Sequence, residues 1–261
     1  MCSSDLSLEQ AETIEMLKPF AQLETVAVSR ETIDGMVPID QRQIYLVDKE
    51  GAAQSSLRMG HDALPFDATG DYYRAGLMNF ILGGTFNSRL NLNLREDKGY
   101  TYGARSGFQG GPEFGGFGFS SEVNKDATAA SVSEVLKELE AYVEDGMTED
   151  DFTFMRNAIG QRDALQYETP YRKLGLMSSI LRYDLPLDYR TQQKAILQET
   201  DLSTLNRLAS ELIQPEKMAI VIVGDEASIR PELEALGMPI VRLDEDGLLI
   251  DPDETVKQDS P

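Results

Sequence analysis

The sequence predicts an α+β fold, a mostly antiparallel sheet with helices packed on one face. Three observations carry that prediction. Period-two alternation is concentrated in residues 43–59 and 100–121, the signature of half-buried strands. Helical spacing dominates from residue 124 onward. A single uninterrupted apolar run, Met218 to Val223, then follows the helices, as a late strand returning to the sheet would. Strands and helices segregated in this way indicate α+β rather than alternating βαβ units.

Taken in order, residues 1–42 read as a linker-like lead-in, with a short amphipathic piece (Leu8 to Leu17) cut by Pro19. Gln43–Lys49 is the first strand, by its β-branched and aromatic content. Glu50-Gly51 offers a turn, and Ala53, Ser55, Leu57 and Met59 alternate through a second strand, so this pair is expected to form a hairpin. Asp71–Leu82 places Tyr73, Leu77, Phe80 and Ile81 on one helical side and stops at Gly83-Gly84. Asn87 or Ser88 can cap a short helix carrying Leu90 and Leu94. Tyr100, Tyr102, Ala104, Ser106 and Phe108 alternate, as do Phe117, Phe119 and Ser121, which predicts an antiparallel pair.

The clearest helix is capped by Asn124, buries Val132, Val135, Leu136, Leu139 and Val143, and ends at Gly146. Thr148 and Asp151 form a capping-box pattern before Phe152, Met155 and Ile159. Beyond Pro170, helical spacing resumes at Leu174, Met177 and Leu181, then around Arg190–Gln198 and Leu202–Ile213. After the late strand come a helix, Ala227–Leu236, and a short strand, Ile240–Leu243. Residues 43–243 therefore form the domain, and 244–261 an acidic tail expected to be disordered.

Composition excludes several classes. The chain carries 45 Asp+Glu against 24 Lys+Arg, a formal net charge of −21, which repels phosphate backbones and argues against nucleic acid. One His and one Cys in 261 residues cannot build the usual zinc sites or a disulfide framework. No apolar run approaches membrane-spanning length. No basic stretch followed by an apolar run opens the chain, so a soluble protein without a legible export signal is expected, its compartment left open.

Few residues are placed for chemistry. No G-x-S-x-G elbow accompanies the lone His61, which lies just after the second strand and reads as structural or solvent-facing. The glycines between Gly107 and Gly118 lack the Lys-Ser/Thr of a phosphate loop. What remains is Gly83-Gly84-Thr85-Phe86-Asn87-Ser88-Arg89-Leu90, followed by Leu94-Arg95-Glu96-Asp97-Lys98-Gly99-Tyr100-Thr101-Tyr102-Gly103. An arginine fork near a helix end and a phenol at a strand start can donate to a carbonyl or carboxylate. The same residues equally fit salt-bridged surface arginines.

That double pattern resembles the C-terminal half of the zinc metallopeptidase family containing pitrilysin, insulysin and the mitochondrial processing peptidase. Ile44–Val47 with Ala52-Ala53-Gln54, and Ala219–Asp225, match as well. The resemblance implies two similar α+β halves closing like a clamshell around a peptide. It places zinc on an N-terminal half, through H-x-x-E-H and a downstream glutamate. The C-terminal half supplies an arginine and a tyrosine seven residues apart that hold the substrate backbone. Arg95 and Tyr102 match that pair, with Gly83, Gly84, Ser88, Arg89 and Gly99 in the supporting segments. H-x-x-E-H needs two histidines and this chain has one. The resemblance therefore implies a half or subunit with no catalytic residue, metal or cofactor of its own, partnered by a zinc-bearing half and by peptide substrates. It also allows a structural subunit, since respiratory-complex core proteins share the fold.

Overall fold

The computed structural model of the chain describes residues 39–162 and 169–250, with Glu15, Met16, Lys18 and Pro19. Most of the lead-in and residues 251–261 of the expected tail lie outside the described residues. The strands are β1 (Gln43–Asp48), β2 (Gln54–Ala63), β3 (Thr101–Gly110), β4 (Gly115–Asn124), β5 (Ala219–Gly224) and β6 (Ile240–Leu243). The helices are α1 (Asp71–Asn79), α2 (Arg89–Asn91), α3 (Thr128–Asp145), α4 (Glu149–Arg162), α5 (Pro170–Tyr183), α6 (Tyr189–Glu199), α7 (Leu202–Leu212) and α8 (Glu226–Glu234). Wide π-helical turns extend α1 through Phe80–Gly84 and α2 through Leu92–Asp97.

All six strands form one sheet in the order β3-β4-β2-β5-β1-β6. The pairings from β3 through β5 are antiparallel, while β1 runs parallel to both β5 and β6. The mostly antiparallel sheet is therefore as predicted, but the expected β1–β2 hairpin is not formed. The late strand inserts between them: Ile44 pairs with Ile220, and Leu57 with Ile222. Local alternation identifies a strand but carries no information about a partner more than a hundred residues away.

One face of the sheet is covered. Ile44 and Leu46 of β1, Leu57 and Met59 of β2, Phe117 and Phe119 of β4, and Ile220 and Ile222 of β5 are all essentially inaccessible. They join Leu77 and Met78 of α1, Val132, Val135 and Leu139 of α3, and Leu205 and Leu208 of α7 in one core. Each such side chain contributes about 1.5–3 kcal/mol by leaving water. The opposite sheet face presents Gln54, Arg58 and Glu122 to solvent. Tyr142 of α3 donates to the Met78 carbonyl of α1 across the core (2.8 Å).

Several local expectations are adjusted. Asn124 does not cap α3 with its side chain: a 3₁₀ turn, Lys125–Ala127, intervenes, and α3 begins at Thr128. Thr148 and Asp151 do form the reciprocal capping pair, the Thr148 amide donating to Asp151 and the Asp151 amide to Thr148 Oγ1. His61 lies within β2, not after it, at the fourth buried position of the alternation Ser55, Leu57, Met59, His61. After β6, Asp244 closes an ordered turn in which Leu249 bridges back to Leu243.

Candidate functional site

The site is built where α1 ends against β3. Asn79, at the last turn of α1, donates Nδ2 to the Ser106 carbonyl (2.8 Å), and Ser106 Oγ donates to Asn79 Oδ1 (2.6 Å). Both residues are buried, where an unpaired polar group would cost about 1–3 kcal/mol, so the pairing fixes helix to strand. Gly83 follows at the tightest approach. A Cβ there would stand 2.1 Å from Ser106 Oγ and 2.4 Å from the Ser106 amide, so no other residue fits. Gly99, at φ +67°, reverses the chain between α2 and β3, a conformation that penalises any Cβ.

Next comes a β-bulge. Thr101 pairs with Val123 and Ala104 with Ser121, so Tyr102 and Gly103 on β3 stand opposite the single residue Glu122 on β4. Hydroxyls satisfy the backbone groups that the bulge releases. Thr101 Oγ1 accepts from the Gly103 amide (3.1 Å), and Ser121 Oγ donates to the Gly103 carbonyl (2.9 Å). Asn91, itself buried, accepts from the Ala104 amide (2.9 Å) and donates to the Phe86 carbonyl (2.6 Å). One amide therefore ties the glycine loop to the strand just past the bulge. The simple alternation predicted from Tyr100 to Phe108 is broken here, and the consequence is that Tyr102 stands 88% exposed.

A pocket of about 320 Å³ opens at this junction, with Gly83, Gly84, Phe86, Asn91, Tyr102 and Arg105 in its lining. The structure thus brings Gly83, Gly84 and Tyr102 together. Arg95 stands one ring behind: its guanidinium lies 4.4 Å from the Phe86 ring centre, and Phe86 faces the pocket. Arg95 Nη1 also sits 2.8 Å from Glu96 Oε1, an ion pair without hydrogen-bond alignment. Arg89 turns away toward α3, where it meets Glu138 (3.2 Å), the Gly146 carbonyl (3.4 Å) and the Tyr142 ring. Ser88 is fully buried at the start of α2. Phe86, Asn91 and Arg105 were not singled out from the sequence. Asn91 and Phe86 fall within or beside the quoted motif, and their roles arise only from the fold.

His61 tests the fit to a metal. Its Nε2 accepts from the Gln214 amide (3.1 Å), leaving the proton on Nδ1, which donates to the Asp62 carbonyl (2.8 Å). The ring stacks on Phe117 at 5.3 Å. Both nitrogens are committed, and burial pushes its pKa down, opposed by the Asp62 hydrogen bond. The lone imidazole therefore does not fit a zinc ligand, since it offers no free lone pair. Among the described residues, no three His, Cys, Asp or Glu side chains group as a metal site would require.

A family model described as the peptidase M16 inactive domain matches residues 3–159. The chain belongs to that family. The fold agrees with it. The crystal structure of a peptidase M16 inactive domain from Pseudomonas fluorescens superposes with a TM-score of 0.70 at 24% identity, covering 82% of this chain and 50% of that one. A protease from Helicobacter pylori gives a TM-score of 0.70 at 18% identity, covering 83% of this chain and 53% of that one. A curated relative, the non-peptidase homolog YmxG of Helicobacter pylori, is 24% identical over 163 residues, 61% of this chain and 37% of that protein. The chain thus spans about half of the solved structures and 37% of the curated relative.

In this M16 inactive domain the conspicuous motif residues serve two ends. Gly83, Ser88, Arg89 and Gly99 shape the α1–α2–β3 corner, and Tyr102 is what that corner presents. A second depression, of about 240 Å³ between α4 and α6, includes Arg156, Gln193 and Lys194 in its lining. No sequence motif marked it. Among the described residues no helix is long and apolar enough to cross a membrane.

Proposed function

We propose that this chain is a non-catalytic, peptide-binding half or subunit of an M16-type zinc endopeptidase, acting with a zinc-bearing half. The observation that carries this reading is Tyr102. A bulge, two hydroxyl-capped backbone groups and the Asn91 clamp all go to expose one phenol beside a pocket, and no described hydrogen bond within the chain uses its hydroxyl. An aromatic donor fixed on a strand can orient a peptide carbonyl, a positioning and electrostatic contribution rather than proton transfer. Arg95, buttressed by Phe86, would support the same binding face. The test is reconstitution. Mixed with a zinc-bearing half, the chain should restore peptide hydrolysis, and Tyr102→Phe should lower kcat/KM about fivefold while leaving the melting temperature unchanged, as expected for one hydrogen bond. Hydrolysis that ignores both Tyr102→Phe and Arg95→Ala would remove the pair from the site. One tightly held zinc per isolated chain would overturn the reading altogether.

A structural or assembly subunit is the second reading. It is favoured by α5, on which no residue is buried while Tyr171, Leu174, Met177 and Leu181 are exposed. Apolar side chains clustered on one exposed helix suit a contact with another protein. Failure of any zinc-bearing half to yield hydrolysis, alongside stable association, would favour this reading.

A further inference from the structure

We propose that the Tyr102 pocket selects a carboxylate on the bound peptide, and that Arg105 is the residue that reads it; this rests on the peptide-binding reading. The chain has 45 carboxylates for 24 Lys and Arg, so arginines find partners easily. Arg42 meets Glu140, Arg58 meets Glu122, Arg74 meets Asp71 and Arg95 meets Glu96. Others stack on rings or donate to carbonyls, as Arg182 does on Tyr183 and Arg156 to Gln198. Among the arginines whose side chains are described, Arg105 alone has no ion pair, hydrogen bond or ring contact.

Its surroundings account for that freedom. Arg105 lies on β3, the outermost strand on its side of the sheet, and its cross-strand partner is Ser120, a short side chain without charge. The nearest carboxylate along β4, Glu122, is taken by Arg58 and by Ser56. The pocket lining includes Tyr102 and Arg105 but no Asp or Glu. Gly103 adds open floor, since a Cβ there would meet only Asn91 Oδ1, at 3.9 Å. A guanidinium fork and a phenol over a bare backbone floor match a carboxylate in charge and in donor number. Arg95 does not compete, because Glu96 and the Phe86 ring already engage it. The substrate class thus runs opposite to what net charge alone suggests: a strongly acidic protein with an acid-reading pocket.

The experiment uses the full 261-residue chain and fluorescence anisotropy with labelled, N-acetylated and C-amidated peptides differing only in a central Glu, Gln or Lys. A fourth peptide carries central Gln with a free C-terminal carboxylate. The Glu peptide should bind about tenfold tighter than the Gln peptide, the scale of a charge-assisted hydrogen bond at a partly exposed site, and the Lys peptide should bind weakest. Arg105→Gln should abolish the discrimination between the Glu and Gln peptides without altering the melting temperature. Arg105→Glu should reverse the order to favour Lys. Tighter binding of the free-terminus peptide alone, again lost in Arg105→Gln, would assign the carboxylate to the chain end rather than a side chain and support the pocket's chemistry. Equal affinity for all four peptides overturns the role of Arg105 and leaves peptide binding standing. Binding of none overturns the peptide reading, and this inference with it.

Discussion

His61, the single histidine, is held by the Gln214 amide and the Asp62 carbonyl and is stacked on Phe117. Burial lowers its pKa in the folded chain, below the ordinary value of about 6.5. As pH falls, the unfolded chain therefore takes up the proton first. The stability tied to neutral His61 is complete above pH ~6.5 and is lost progressively as pH drops below that value. In His61→Gln, thermal melts between pH 7 and pH 5 should show a shallower loss than in the unaltered chain, alongside a lower melting temperature throughout. Identical slopes would mean the imidazole is not buried neutral. The sequence made His61 conspicuous by its rarity but not by its place, since Gly60-His61-Asp62 reads as a strand exit until β4 extends the pairing through Ala63. The family resemblance is what marks Arg95 and Tyr102 as a pair, but only the bulge separates a phenol in the open from an arginine behind a ring.

Elements were read well where one short segment decides them. Thr148 and Asp151 identify their own helix start through bonds three residues apart. The strand Ile240–Leu243 was read at its observed bounds. The helical spacing of Leu174, Met177 and Leu181 is borne out in α5, and these side chains are exposed by 60%, 60% and 84%. Spacing announces an apolar face and says nothing about what covers it. Tyr183 anchors the helix end by stacking on Phe66 at 3.9 Å. Accordingly, Leu174→Glu and Leu181→Glu should shift the stability of the isolated chain by no more than about 0.5 kcal/mol, as for surface sites, and should weaken association with a matching half in sedimentation or pull-down. A melting temperature lowered by many degrees would show that the face is buried in the isolated chain.

At the scale of the whole molecule, the decisive feature is the insertion of β5 between β1 and β2. Every described strand pairing of β1 depends on residues beyond 218. A variant ending at Ile213 should therefore lose cooperative unfolding entirely, whereas a β1–β2 hairpin would survive the truncation. Circular dichroism melts decide between them, and a sharp transition near that of the full chain would contradict the topology. The same long-range pairing should make folding slow for a chain of this size, because loop closure precedes the reward of contact. The family match runs over residues 3–159, while the strand that completes the sheet lies beyond it.

The sequence by itself determined the fold class, the strands and helices with their approximate bounds, the single histidine that cannot form H-x-x-E-H, and the spacing of Arg95 and Tyr102. These are properties of composition or of contacts within a turn or two. The tertiary structure decided which strands meet, that His61 is a committed core residue, that Tyr102 faces outward, and that Arg105 is left without a partner. Each of those depends on residues distant in the chain competing for the same space or the same hydrogen bond. Only the assembled sheet, with β5 between β1 and β2 and a bulge facing Ser121, settles that competition.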